Sequence, residues 1–126
     1  MKQIIKTERA PAPIGPYNQA IFSNGTLYVS GQIAIDPSTN ELVISSVEEE
    51  TRQVMANLSA ILDEAAFSFE DIVKTTIFLS SMDLFPVVNT IYGSYFKSDF
   101  PARETVAVAG LPKGVHVEIS VIATKQ

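Results

Sequence analysis

The segment Val115-His116-Val117-Glu118-Ile119-Ser120-Val121-Ile122 alternates in hydrophobicity as a β-strand does. Val117, Ile119 and Val121 fall on one face, and Glu118 falls on the other. Since helices pack on one face of a single-layer sheet, they are expected to cover the valine and isoleucine face. The opposite face still carries apolar side chains from this strand and its neighbours, which favours a second subunit there. The segment therefore predicts an oligomer whose interface contains Glu118.

Two stretches earlier in the chain have helical periodicity. Ser46 with Glu49 three residues later fits a capping box, and apolar residues then recur every three or four positions to Ala65. The acids at 48–50 are placed on or beside the solvent face, without a chemical role. A second helix is predicted from about Leu84 to Lys97.

The remaining segments have strand and turn character. Asn24-Gly25 between two β-rich runs predicts a tight hairpin. The strand after that turn is expected to stay extended through Gly31 to Ile35, with a bulge or a close backbone approach at the glycine. Asp71–Leu79 is long and β-branched, as in a central strand. We predict one α+β domain over residues 1–126, with two helices on one sheet.

Arg103 is the second candidate functional residue. Phe100 and Pro101 are expected to end the second helix, and Arg103 then precedes the apolar run 105–109. An unpaired buried guanidinium is costly, so we expect it to meet a carboxylate of the protein or of a ligand. With Glu118 it would form a site in which the arginine holds a small carboxylate and the glutamate handles protons. On these residues alone, an ordinary structural ion pair is the alternative.

Three further positions could line such a site. Tyr17 ends a loop with three prolines and can present its phenol, or it can simply pack on the surface. Ser30 and Gly31 lie at the possible bulge and could line a site, although on the sequence alone a purely structural bulge is favoured. Asn89 lies at the edge of the second helix's apolar stripe, from which it could reach a neighbour or face solvent.

Composition narrows the function classes. The net charge of −5 and the pI near 4.7 argue against non-specific binding of nucleic acids or acidic membranes. Without cysteine there are no disulfides or thiolate sites, and a single histidine, His116, makes a histidine-based metal site or a Ser/His triad improbable. The N-terminus is too short and polar for a signal peptide, and no apolar stretch reaches membrane-spanning length. A soluble cytoplasmic protein is expected.

Nearly the whole chain resembles the RidA-type reactive intermediate deaminases, formerly named YjgF proteins. The motifs that carry the resemblance occur in the family's order and spacing. They are Ala12-Pro13-Ile14-Gly15-Pro16-Tyr17, Ser30-Gly31-Gln32-Ile33, Val73-Lys74-Thr75-Thr76-Ile77-Phe78-Leu79, Val88-Asn89-Thr90-Ile91-Tyr92, Phe100-Pro101-Ala102-Arg103 and Leu111-Pro112-Lys113-Gly114-Val115-His116-Val117-Glu118-Ile119.

The resemblance implies a chorismate-mutase-like fold with a mixed sheet, and a homotrimer with a site in each cleft between subunits. It implies hydrolysis of 2-imino acids such as 2-iminobutanoate and 2-iminopropanoate, or their enamine tautomers, to 2-keto acids and ammonia, without a metal or cofactor. Arg103 would anchor the carboxylate, and Glu118 would position or activate water. The residues implied to line the cleft are Tyr17, Ser30, Gly31, Asn89 and Thr105, the last through its backbone.

One departure from the family pattern bears on the site. Glu104-Thr105 replaces the frequent Ser-Cys after the arginine, and Glu104 could compete for the guanidinium if the strand were bulged. Two other functions are considered. A non-catalytic module that binds a small carboxylate would need Arg103 but not Glu118. A ribonuclease is disfavoured by the acidic charge and the single histidine.

Overall fold

The computed structural model of the protein describes residues 1–125 and has one six-stranded sheet with two helices against one face. The strands of this sheet are β1 (Gln3–Ile5), β2 (Ala20–Ser23), β3 (Thr26–Gln32), β6 (Ile72–Leu79), β7 (Ala102–Ala107) and β8 (Val117–Thr124). Their order is β1-β2-β3-β8-β6-β7, and all neighbours are antiparallel except β6 and β7, so the sheet is mixed as predicted. A separate two-stranded ribbon pairs β4 (Ile35–Asp36) with β5 (Glu41–Leu42).

Helix α1 (Val47–Glu64) begins where the capping motif predicts. The Ser46 side chain accepts the Glu49 backbone N–H at 3.1 Å. The apolar stripe, including Val54, Leu58 and Ile61, is buried against the sheet, and α1 also packs on α2 (Phe85–Gly93). The main apolar core lies between the helices and the sheet face that carries Val117, Ile119 and Val121. None of the helices in residues 1–125 is long and apolar enough to span a bilayer.

The second helix is shorter than the sequence predicts. It ends at Gly93 and not near Lys97, and Phe100 and Pro101 come well after it. Tyr95 and Phe96 still reach the core, because their rings lie 5.4 and 5.7 Å from the ring of Phe69. Tyr95 and Phe96 therefore pack against the core from the segment that follows α2, without continuing the helix.

The hairpin prediction is confirmed, and the extension of its second strand is not. Asn24 and Gly25 have φ of 50° and 78°, as a type I′ turn requires. The β3–β8 register shifts between Val29 and Gln32, so the predicted bulge is present. After Gln32 the chain leaves the main sheet, and Ile35 pairs in the small ribbon.

The sheet face away from the helices, called here the open face, carries a row of apolar side chains. Ile4, Ile21, Tyr28 and Ile122 are consecutive partners across β1, β2, β3 and β8. Ile4 and Tyr28 are 56% and 49% exposed, and Val106 on β7 is also exposed. The open face is therefore apolar along this row across β1, β2, β3 and β8, as the alternation in β8 predicts.

Candidate functional site

Glu118 lies on the open face of β8, opposite Phe78 of β6. It lines a pocket with Gly31 and Tyr17, two residues that the family resemblance implies in the same cleft. The other lining residues come from the loop before β2, the end of β3 and the turn before β8: Pro11, Ala12, Ile14, Gln19, Gln32, Ile33, Ile35 and Pro112. This set is called here the Glu118 pocket.

The bulge in β3 provides the space that the Glu118 carboxylate occupies. A Cβ atom on Gly31 would lie 2.8 Å from both Cδ and Oε2 of Glu118, shorter than ordinary van der Waals contact. Both sequence interpretations of Gly31, a bulge and a close approach, therefore hold at once. The residue approached is Glu118 itself.

The loop that carries Tyr17 is held by the buried side chain of Gln19, which is 3% exposed. Its Oε1 accepts the Thr7 N–H at 2.7 Å, and its Nε2 donates to the carbonyls of Thr7, Ala10 and Pro11. Four hydrogen bonds to the backbone thus fix a segment that its prolines keep out of regular structure. Tyr17 itself is 45% exposed at the mouth of the Glu118 pocket.

Ser30 ties this loop to the sheet. Its hydroxyl donates to the Asn18 carbonyl at 2.6 Å, and its backbone N–H donates to the Gln19 carbonyl at 2.9 Å. In the protomer the serine thus connects the start of the bulge to the loop that leads from Tyr17.

Arg103 lies in a second pocket, called here the Arg103 pocket, on the opposite side of the sheet. Its Nη1 donates to Asn89 Oδ1 at 2.8 Å, and its Cζ lies 5.6 and 5.2 Å from the ring centroids of Phe85 and Tyr92. Of the two partners expected for Arg103, a protein carboxylate is absent within residues 1–125, where the ion pairs do not include Arg103. A carboxylate of a ligand stays a prediction. An amide oxygen and two aromatic faces hold the guanidinium without neutralising it. The pocket is lined by Asn89, Tyr92, Gly93, Phe100, Pro101 and Arg103.

The departure at Glu104 does not disturb Arg103. Strand β7 pairs with β6 without a bulge from Ala102 to Ala107, so Glu104 points to the open face. There its carboxylate contacts Lys74 Nζ at 3.1 Å. Thr105 lies on the Arg103 face, and its buried hydroxyl has no hydrogen-bond partner within residues 1–125.

Arg103 and Glu118 face opposite sides of the sheet. Arg103 is in register with Thr75 of β6, and Glu118 with Phe78. Thr75 and Phe78 are three residues apart on one strand, an odd number, so they point to opposite faces. Thr75 faces the helices, where its hydroxyl accepts a hydrogen bond from Tyr92 at 2.9 Å. One protomer therefore holds the Arg103 pocket and the Glu118 pocket on opposite faces of its sheet.

Two groups at these pockets have shifted pKa values. Burial raises the pKa of the Glu118 carboxyl above its ordinary value of 4.5. Burial also raises the pKa of the Tyr92 phenol, against smaller lowering effects of the Thr75 hydrogen bond and the Arg103 charge. A carboxyl that titrates above the usual range is suited to accept and return a proton.

Sequence reasoning missed two buried polar residues of α1. Glu50, expected on or beside the solvent face, is 0% exposed, and Asn57 donates to the carbonyls of Ile33 and Ile35 at 3.0 Å each. Glu50 lies four residues before Val54 and Asn57 lies three residues after it, so each falls on the buried stripe. That spacing is the signal that could have identified them, because a polar residue on a buried stripe needs a partner.

Comparison with known proteins supports this fold. The family model described as Endoribonuclease L-PSP matches residues 7–125. The human 2-iminobutanoate/2-iminopropanoate deaminase is 46% identical over 123 residues, covering 98% of this chain and 90% of the human protein. A structure of the conserved Rid protein family member YyfA from Yersinia pestis superposes with a TM-score of 0.96 at 52% identity, covering 99% of this chain and 100% of that one. Escherichia coli TdcF, solved with bound serine, has a TM-score of 0.94 at 37% identity, covering 98% and 99%.

The chain belongs to the L-PSP family, which is also the YjgF/RidA family. The resemblance seen in the sequence motifs is thereby confirmed at the level of family and fold. Names within the family differ, since the family description is that of an endoribonuclease and the human relative is named a deaminase.

Proposed function

We propose that the protein is a 2-iminobutanoate/2-iminopropanoate deaminase, which hydrolyses small 2-imino acids and their enamine tautomers to 2-keto acids and ammonia. The observation that carries the proposal is Arg103, whose guanidinium lies in an open pocket and is not neutralised by a carboxylate within residues 1–125. The human relative at 46% identity has this activity as its name. Serine, named as the ligand of TdcF, is likewise a small molecule with a carboxylate.

Arg103 would bind the substrate carboxylate. A guanidinium has five N–H donors, and the contact with Asn89 uses one of its nitrogens. The other nitrogens can hold both carboxylate oxygens through parallel hydrogen bonds, the geometry that arginine favours. Phe100, 64% exposed at the edge of the pocket, offers an apolar surface for a short substrate side chain.

Glu118 would position the attacking water and move its protons. Its carboxylate takes a proton from water as the oxygen bonds to C2 of the protonated imine, which gives a tetrahedral amino alcohol. It then returns that proton to the nitrogen. As the C–N bond breaks and the C=O bond forms, Glu118 takes the hydroxyl proton and passes it to the departing ammonia, which leaves as ammonium. Atoms and charges balance without a metal, cofactor or covalent intermediate.

The reaction requires Arg103 and Glu118 to contact the same substrate molecule, so we propose a homotrimer with a site in each cleft between subunits. In a 2-imino acid the carboxylate carbon is bonded directly to the carbon that water attacks. Arg103 and Glu118 face opposite sides of the sheet in one protomer and cannot both contact such a molecule. Arg103 of one subunit would therefore act with Glu118 and Tyr17 of its neighbour. The apolar row on the open face supports an interface beside Glu118.

The other proposed site residues would support these two. Asn89 would orient Arg103 through its amide oxygen, and Gly31 would leave space for Glu118. Ser30 would fix the Tyr17 loop, and Thr105 would contact the ligand through its backbone. A ribonuclease role is less well supported, because His116 lines neither pocket and instead contacts Glu50. A cytoplasmic location remains a prediction from composition.

The direct test measures hydrolysis of 2-iminobutanoate generated in situ by threonine dehydratase. We expect the wild-type protein to accelerate hydrolysis, and Arg103→Ala and Glu118→Ala to lose the acceleration while keeping the wild-type oligomer mass. Lys97→Ala, an exposed cation outside both pockets, is the charge-removal control for Arg103. A folded wild-type oligomer without activity that still binds 2-ketobutanoate through Arg103 would refute the deaminase and support the non-catalytic module.

A further inference from the structure

The side chain of Glu50 is a buried carboxylate, and the proposed chemistry does not use it. It lies in the first turn of α1 and is 0% exposed. Its Oε2 accepts the backbone N–H of His116 at 2.7 Å and of Val117 at 3.0 Å, and its Oε1 lies 2.8 Å from His116 Nδ1. One carboxylate from α1 thus grips the backbone at the start of β8, two residues before Glu118.

The sheet gives this part of β8 less support than the rest of the strand. Pairing between β3 and β8 ends at Gln32 and Ile119, next to the bulge at Gly31. On the other side, β6 pairs with Val117 and Glu118, and Ser80 N–H donates to the His116 carbonyl at 3.0 Å. Without a β3 partner at Val117 and Glu118, the Glu50 carboxylate is the second lateral restraint on the backbone that carries Glu118.

We propose that Glu50 is a positioning residue that holds the start of β8 so that the Glu118 carboxylate keeps its place above Gly31. The proposal rests on the function proposed above for Glu118. Glu50 is on the helix side of the sheet and does not line the Glu118 pocket, so it would act through the backbone and not on the substrate. A burial of this kind is stable because the carboxylate has three polar contacts and lies at the positive end of α1.

The geometry separates the effects of three substitutions. Glu50→Ala removes all three contacts. Glu50→Asp keeps the charge but shortens the side chain by one methylene, so it cannot reach both amides. Glu50→Gln keeps an oxygen that can accept both N–H groups, while its NH₂ can donate to a neutral His116 ring. If Glu50 acts by binding the two backbone N–H groups, the glutamine variant should therefore retain its function and the aspartate variant should not.

The experiment measures kcat and KM for 2-iminobutanoate with these variants as intact oligomers. We expect kcat to fall about 10- to 100-fold in Glu50→Ala and Glu50→Asp and to stay within about threefold of wild type in Glu50→Gln. KM should change less than about threefold, since Arg103 is on β7, which β6 separates from β8. Glu49→Gln, which neutralises an exposed acid of the same turn, is the matched control and should retain wild-type kcat. Unchanged kcat in folded Glu50→Ala or Glu50→Asp, or an equal loss in Glu50→Gln, would overturn the proposal.

A second readout does not depend on activity. The titration of the Glu118 carboxyl, followed by ¹³C NMR, should move in Glu50→Asp and stay at its wild-type position in Glu50→Gln and Glu49→Gln. If the wild-type protein proves inactive on imino acids, the proposed function fails, and this titration still decides whether Glu50 positions Glu118. An unchanged Glu118 titration in Glu50→Asp would refute the positioning role.

Discussion

Replacing Gly31 with alanine would put a methyl group where the Glu118 carboxylate lies. The new Cβ would be 2.8 Å from Cδ and Oε2 of Glu118, whereas ordinary contact begins at 3.4 Å. The carboxylate would have to retreat by at least about 0.6 Å. A misplacement of about 1 Å in a catalytic group can cost about 100-fold in rate. We therefore expect kcat for 2-iminobutanoate to fall by about 10- to 100-fold in Gly31→Ala.

Stability should change much less than activity in this variant. The atoms that clash are at the end of a flexible side chain, which can move away, and the φ of Gly31 is not in the left-handed region. We expect a loss of at most about 1.5 kcal/mol in the free energy of unfolding, the cost of an off-rotamer side chain. Gly110→Ala is the matched control, because a Cβ there meets nothing within 4 Å.

The assay pairs initial rates of imine hydrolysis with denaturant unfolding at fixed protein concentration. A Gly31→Ala protein with wild-type kcat would refute the argument that the bulge exists to seat Glu118. A loss of activity matched by Gly110→Ala would also contradict it, since the effect would then not depend on the contact.

Four further predictions concern Glu118, Arg103 and the end of α1. In Glu118→Gln, the free energy of unfolding should exceed that of wild type at pH 7, and the difference should vanish below pH 4.5. The reason is that the raised pKa makes the ionised Glu118 carboxylate destabilising in the folded protein, and protonation at low pH removes this cost from wild type. An equal difference at both pH values would contradict this reasoning. The rate of wild-type hydrolysis should fall as the pH is lowered, with a midpoint above pH 4.5 in the pH–rate profile. A midpoint at or below pH 4.5 would argue against Glu118 as the base. Asn89→Asp would place a carboxylate about 2.8 Å from the Arg103 guanidinium, where it competes with substrate; KM should rise about 10- to 100-fold, and an unchanged KM would exclude Arg103 as the anchor. Ala66→Gly should stabilise the fold by about 1 kcal/mol in denaturant unfolding, because Ala66 ends α1 with a φ of 62°, whereas Ala65→Gly should not.

The sequence was sufficient where a local rule decides the structure. Alternation in β8 predicted that Glu118 lies on the open face, Asn24-Gly25 predicted the hairpin, and Ser46 predicted the start of α1. Each of these depends on neighbours within a few residues, so the pattern that signals the structure is also its physical cause.

Contacts between distant segments could not be read in this way. The partners of Glu50 are amides 66 and 67 residues later, so its charge suggested solvent although its spacing placed it on the buried stripe. The end of α2 was predicted too late because Tyr95 continues the apolar period but packs from a turn. Arg103 was expected to meet a carboxylate of the protein or of a ligand, and the sequence did not show that two aromatic rings of α2 would contact it within the protomer.

The division of the site between subunits is the central claim, and subunit mixing tests it most directly. Arg103→Ala and Glu118→Ala, each inactive alone, would be unfolded together, refolded as a 1:1 mixture and assayed with 2-iminobutanoate. If Arg103 of one subunit acts with Glu118 of its neighbour, random assembly leaves about one quarter of the sites with both residues, so about one quarter of wild-type activity should return. Mixed oligomers of wild-type mass with no recovered activity would contradict a site shared between subunits.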